Sequence, residues 1–280
     1  VQIIGIDCGR HGLKAFAGGK KIFIPSVVGE WRERRISEGG DYETEIDGRQ
    51  YFVGELAETE SRFRREMVCR QKTTEETFVL TMTALALMAD RGEQLRVITG
   101  LPVEQHTPQI KQEYVRLLSG RHSVRVNSQK HEITLADDSL AVTIEGAGAY
   151  WSEVLSGNKK SGRCRVIDLG SRTINALTIN GNRFADLDSC TLNYGCLELQ
   201  NASEQPDDIL AEQLARRIYA DLSRRWMDLK DEPVLLAGGG ALLLEQWMRR
   251  HFPRSRVLSD PVYANAIGYY KMGLERWKSK

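Results

Sequence analysis

The sequence carries almost no net charge. Its 39 Lys and Arg stand against 38 Asp and Glu, a formal charge of +1. That balance argues against bulk electrostatic attraction to nucleic acid as the main activity and leaves only local patches for it. Cysteine is sparse: the five (Cys8, Cys69, Cys164, Cys190, Cys196) include no CxxC pair. No stretch has the length and apolarity of a membrane span or a signal peptide, and no segment is of low complexity. The simplest reading is a reduced, cytoplasmic protein without a membrane partner. At 280 residues the chain exceeds the usual size of one domain and can bury two cores.

What is present is a repeat. Residues 163–185, RCRVIDLGSRTINALTINGNRFA, read as an apolar strand ending at an acid, a tight Gly/Ser/Thr turn and a returning hairpin. Residues 2–24 follow the same plan, with Asp7 matching Asp168 and the reversal Gly18-Gly19 matching Asn180-Gly181. An internal repeat of this kind implies two like-folded lobes. An acid at a strand's carboxyl end, followed by small polar residues, offers a carboxylate for a hydrated cation beside N–H groups for phosphate oxygens. One copy alone reads equally well as a hairpin with an Asx-type turn. Two copies in register favour a pair of turns that clamp phosphate.

Between the copies, residues 26–72 are charged and punctuated by glycine, which suits a small accessory subdomain containing a strand, an Asp47-Gly48 turn and a second strand. The basic run 62–72 (Arg62, Arg64, Arg65, Arg70, Lys72) reads as a solvated helix face, with a binding patch as the alternative. Thr73-x-x-Glu76 is a capping box for a buried helix over 78–88 that Gly92 can end, and Thr107-Pro108 opens another helix that Gly120 closes. Three short alternating segments then lead to Glu145, which enters a Gly-Ala-Gly turn before a helix near Ala149. A carboxylate there lies at the open end of a sheet, or serves as a capping acid near a helix N-terminus.

Further on, Leu210, Leu214, Ile218, Leu222 and Trp226 recur every fourth residue and predict one packed helix face. PVLLAGGGALLLEQWM is a strand running through three glycines into a helix, where a backbone can approach a phosphate or a flat ligand closely. Asp260 and Pro261 open the last helix.

The order of these parts resembles that of the actin-like ATPases, which share their fold with sugar kinases and the seventy-kilodalton chaperones. KAFAGGKKIFIPSVVGEW, with Lys14 seven residues after Asp7, is similar to the opening of actin. TGLPV (99–103), YFVGELA (51–57), LLAGGGA (235–241) and ANAIGYYK (264–271) resemble the plasmid-segregation actins of the ParM and AlfA type, so that the likeness spans the whole chain.

The resemblance implies an α/β, two-lobed actin-like ATPase fold made of duplicated ribonuclease-H-like domains, 1–150 and 151–280, with the last helix free to pack back on the first. It implies Mg²⁺ held largely through water by Asp7 and Asp168. The phosphates would meet Gly9, Arg10, His11, Gly12, Lys14, Gly170, Ser171, Arg172 and Thr173, and the nucleoside would lie by Gly195, Gly238, Gly239 and Gly240. Glu145 would position the attacking water. The implied activity is ATP hydrolysis, with GTP as the alternative nucleotide, coupled to a homopolymeric filament. That filament would move plasmid DNA through an adaptor protein bound to a centromere-like site, without contacting DNA itself. A small-molecule kinase and a scaffold filament that does not hydrolyse nucleotide are the competing readings.

One departure stands out. Asp7 and Gly100 are 93 positions apart, whereas Asp168 and its counterpart Gly238 are 70 apart. The small subdomain of the second lobe, about 201–232, is therefore expected to be reduced, leaving one face of a bound base open in the lone subunit. Arg172, where a smaller residue is usual, is a further departure. It contacts phosphate or braces the turn.

Overall fold

The computed structural model describes residues 1–36, 42–67, 71–155, 162–181, 183–197, 199, 208–226 and 232–278. Cys69 and Arg70, and residues 201–207 and 227–231 of the expected small subdomain, lie outside them. The chain divides into two compact units, one of Val1–Leu101, Gln105–Thr143 and Met272–Lys280, the other of Pro102–Glu104 and Ile144–Lys271.

In the first unit, β1 (Gln2–Cys8), β2 (Gly12–Ala17) and β3 (Lys20–Pro25) form a meander. They are followed by β4 (Val27–Glu30), β5 (Tyr42–Ile46), β6 (Arg49–Val53), the short helix α1 (Glu55–Glu60) and β7 (Arg65–Glu66). Then come α2 (Glu75–Met88), β8 (Leu95–Leu101), α3 (Pro108–Leu118), β9 (Gly120–Val126), β10 (Gln129–Leu135) and β11 (Leu140–Ile144). The main sheet has the order β11-β8-β1-β2-β3, with β8 parallel to β1. A second sheet, β10-β9-β5-β6-β4-β7, draws its strands from both sides of α2 in sequence. Helix α2 is apolar almost all round, and it is buried accordingly.

The two-residue hairpins follow from their backbone angles. Gly18 and Gly19, and likewise Asp47 and Gly48, all have positive φ, which gives the turn that matches the twist of the flanking strands.

The second unit starts with α4 (Ala147–Val154), then β12 (Arg163–Leu169), β13 (Ile174–Asn180), β14 (Arg183–Phe184) and β15 (Cys190–Leu192). It continues with α5 (Asp208–Ser223), β16 (Val234–Ala237), α6 (Ala241–His251), β17 (Ser255–Val257) and α7 (Ala264–Arg276), the last turn of which falls in the first unit. Its sheet runs β14-β13-β12-β16-β17, with β15 added on β13. Strands β12, β13 and β14 alternate in direction and β16 lies parallel to β12, so this unit repeats the arrangement of β1, β2, β3 and β8. This is the mixed α/β duplication expected from the sequence. No helix among the described residues is long and apolar enough to cross a membrane.

Several local expectations are corrected. The cap of α2 is Thr74, whose Oγ1 accepts from the Thr77 N–H at 3.3 Å, one residue later than the Thr73 capping box. Helix α4 begins at Ala147, near the expected Ala149, whereas α7 begins at Ala264 rather than beside Pro261. The described part of the basic run holds no helix: Arg65 lies in β7 and pairs with Glu75 and Glu76, while Lys72 is buried.

The predicted stripe on α5 holds for Ile218, Leu222 and Trp226, with Leu214 packed against them, but not for Leu210. Steps of four advance about 40° beyond a full turn each time, so Leu210 and Leu222 cannot share a face. The buried positions are Ala211, Ala215, Ile218 and Leu222, while Leu210 is 41% exposed and Trp226 packs beyond the helix end. Finally, Thr99 stands against Ile6 and Leu236 against Ile167, so Gly238 falls one residue further along its strand than Gly100.

Candidate functional site

In the first unit the buried end of β1 delivers Asp7, which is 8% exposed. The antiparallel register sets Lys14 of β2 opposite it, with Nζ 3.7 Å from Asp7 Oδ2. The turn between them is crowded. A Cβ on Gly9 would lie 2.6 Å from Lys14 Nζ and 2.8 Å from the Gly12 carbonyl oxygen, and one on Gly12 would lie 2.2 Å from the Phe23 ring. Arg10 is half-buried and His11 exposed, its ring 6.2 Å from that of Phe23. Ser26 closes the turn from behind: its N–H donates to the His11 carbonyl at 3.1 Å and its Oγ to the Gly9 carbonyl at 2.6 Å. Lys72, 2% exposed, donates its ammonium to the Cys8 carbonyl.

In the second unit β12 delivers Asp168, also 8% exposed, and the same register sets Asn175 opposite it. Lys14 and Asn175 are therefore counterparts, seven residues after Asp7 and Asp168 respectively. The substitution changes what stands there: a cation beside Asp7, and an amide that reaches a different acid. Asn175 Nδ2 donates to Glu145 Oε2 at 2.9 Å, and its Oδ1 accepts from the Thr191 hydroxyl at 2.7 Å. Glu145 is 7% exposed and immediately follows β11.

A second amide ties the rest together. Asn265, at the start of α7, donates from Nδ2 to Asp168 Oδ2 at 2.8 Å. Its Oδ1 accepts from the N–H groups of Gly146 and Ala149, at 3.0 and 3.2 Å, capping α4, which has no side-chain cap of its own. Helices α4 and α7 meet through bare backbone here. A Cβ on Gly148 would lie 2.3 Å from the Asn265 carbonyl oxygen, and one on Gly268 would lie 1.8 Å from that of Gly148.

The turn after Asp168 is overlaid by residues 195–197. The N–H groups of Cys196 and Leu197 donate to the carbonyls of Gly170 and Ser171 at 3.0 and 2.9 Å, and Gly195 lies so close to those carbonyls that no side chain fits. Ser171 is buried, and Arg172 and Thr173 are half-buried. The glycines after β16 join the same cluster. Gly238 has φ +83°, and a Cβ there would lie 2.7 Å from Asp168 Oδ1 and 2.5 Å from the Leu169 carbonyl oxygen. The Gly240 N–H donates to that carbonyl at 2.9 Å, and Gly239 stands half-buried between them.

Tyr194 flanks the cluster. Its hydroxyl donates to Asp221 at 2.7 Å and the Arg217 guanidinium lies 3.9 Å from its ring. Burial, and then the Asp221 carboxylate, push the phenol well above its ordinary range.

Each unit thus gathers its own acid, turn and glycines. The donor set fits Mg²⁺ of one kind only. Among the described residues no three of His, Cys, Asp and Glu converge, so a cation beside Asp7 or Asp168 needs further oxygen ligands from a phosphate chain or water, as Mg²⁺ commonly has. Sequence reasoning missed Ser26, Lys72, Asn175 and Asn265. For Asn175 the seven-residue offset was the available signal. The other three have none, since their partners are 15 or more positions away.

Residues 5–148, just over half the chain, match the family model of the N-terminal domain of actin-like proteins. No curated protein matches the sequence. Among solved structures the chain is similar to ParM from Clostridium botulinum in a 15-stranded filament, at 22% identity over 98% of this chain and 99% of that one, with a TM-score of 0.82. It is similar to an archaeal actin homologue in complex with ADP, at 21% identity over 99% of this chain and 100% of that one, with a TM-score of 0.81. The AlfA filament from a B. subtilis plasmid is 20% identical over the whole of both chains, with a TM-score of 0.76.

Proposed function

The chain belongs to the actin-like protein family, and on that premise we propose that it is a nucleotide-dependent, filament-forming ATPase that segregates plasmid DNA through a DNA-binding adaptor. One observation carries the reading: the strand, acid and turn occur twice in the same topology, each turn opening on a glycine, Gly9 or Gly170, that has no room for a side chain, so that backbone amides line it. The ADP bound by the archaeal homologue and the filaments of ParM and AlfA support it.

Asp7 and Asp168 would hold Mg²⁺ through its waters, and the chemistry such an ion would supply is neutralisation of charge on the phosphates. The turns Gly9–Gly12 and Gly170–Thr173 present N–H groups to the phosphates, and Lys14 adds a positive charge beside the first. Gly195 and Gly238–Gly240 lie along the nucleoside. Glu145, its Oε2 fixed by Asn175, orients the attacking water, and orientation suffices because phosphoryl transfer depends mainly on alignment and charge neutralisation.

Phosphate release measured against protein concentration, with light scattering alongside and with ATP and GTP compared, tests the function. Release per subunit should rise steeply above a critical concentration where scattering appears. Release proportional to protein, without scattering, would defeat the filament.

A further inference from the structure

We propose that Lys72 is a positioning residue for the first phosphate turn, acting through the backbone rather than on the nucleotide. The proposal rests on the reading of residues 9–12 as a phosphate turn. An ammonium that is 2% exposed is costly to bury unless it is firmly engaged. This one donates to the Cys8 carbonyl, at the end of the strand that carries Asp7. The Lys72 backbone is itself anchored, its N–H donating to Gln105 Oε1 at 3.2 Å.

Ser26, 1% exposed, does the matching work on the next links, holding the Gly9 carbonyl through Oγ and the His11 carbonyl through its N–H. Three carbonyls of residues 8–11 are thus held by two buried residues. In a planar trans peptide the N–H points opposite to the C=O. Fixing the Cys8 and Gly9 carbonyls toward Lys72 and Ser26 therefore directs the amides of Gly9 and Arg10 the other way. Successive amides so aligned form an anion-binding concavity, and a buried positive charge behind them strengthens it. Lys14 supplies a charge that can meet phosphate; Lys72 supplies one that sets the donors.

The test is titration calorimetry on the full chain with Mg-ATP, Mg-ADP and adenosine, comparing the unmodified protein with Lys72→Met, Lys72→Arg, Lys72→Gln and Ser26→Ala, each checked by its melting temperature. Lys72→Met should weaken both nucleotides roughly ten- to a hundredfold, the worth of a charge-assisted hydrogen bond, and leave adenosine unchanged. Lys72→Arg should restore part of the loss. Ser26→Ala, which removes one hydroxyl, should show the same selectivity at smaller size, and Lys72→Gln, which keeps a donor without the charge, carries the test if Lys72→Met does not fold. ATP affinity within about twofold of the parent in folded Lys72→Met, or a loss shared equally by adenosine, would overturn the proposal. Failure of the unmodified chain to bind any nucleotide would instead bring down the functional reading, and this one with it.

Discussion

Replacing Asn265 by leucine tests the geometry around Asp168. The side chain is 5% exposed and makes three hydrogen bonds, accepting from the N–H groups of Gly146 and Ala149 and donating to Asp168. Leucine keeps the branched shape, with two methyl groups somewhat larger than the amide, and loses all three. The N–H groups of Gly146, just before α4, and of Ala149, in its first turn, are then orphaned, at about 1–3 kcal/mol each, and the bond to a carboxylate is worth about 1.5–3 kcal/mol. The three share one side chain, and water can enter beside Asp168, so the total should fall below the sum, at about 3–5 kcal/mol. A loss of that size lowers the midpoint of a domain of this size class by roughly 10 °C.

Scanning calorimetry of the full chain without nucleotide measures it, and a second scan adds a functional readout. With Mg-ATP the parent should gain stability by mass action and the variant less, because Asp168 is no longer held in place. A midpoint within about 2 °C of the parent, with the same Mg-ATP gain, would mean that Asn265 does not hold Asp168 and α4 together.

Glu145→Ala should still bind ATP and assemble while hydrolysing slowly, because it removes a water-orienting group and no phosphate ligand; an unchanged rate in single-turnover assays would remove its role. Asp168→Ala should instead abolish the Mg²⁺-dependent part of ATP affinity, read by titration with and without the metal. Gly148→Ala sets a methyl 2.3 Å from the Asn265 carbonyl oxygen, a backbone atom that cannot swing aside, so a cost of about 1–3 kcal/mol or more is expected in chemical denaturation. A neutral result would show that α4 and α7 do not cross there.

The His122 hydrogen bond, and then the Ser123 N–H, hold the Asp47 carboxyl below the usual carboxylate range. A lowered folded value means this contribution is present above the ordinary Asp pKa of about 3.9 and lost as pH falls through the folded value. Asp47→Asn should therefore be modestly less stable than the parent at pH 6 and converge with it in strong acid; a difference that persists there would refute the coupling.

The sequence alone determined the duplicated plan. Strand, acid, glycine turn and hairpin are local features, set by apolar runs, by the need for positive φ at Gly18, Gly19 and Gly181, and by the lack of room for a side chain at Gly9 and Gly170. Such demands act within a few residues, so they show in the order of residues. The same local logic placed Asp7, Asp168 and Glu145 at strand ends. Tertiary structure decided who meets them. Asn265 reaches Asp168 across 97 positions and Lys72 reaches Cys8 across 64, and nothing in residue spacing encodes those partners. It decided which side of α5 is buried, because helical drift and the packing of Ala211 and Ala215 override a tidy four-residue spacing. It also enrolled β9 and β10 in the second sheet, since register is settled by the strand that a segment finds, here β5 for β9, and the sequence of the segment itself does not name that neighbour.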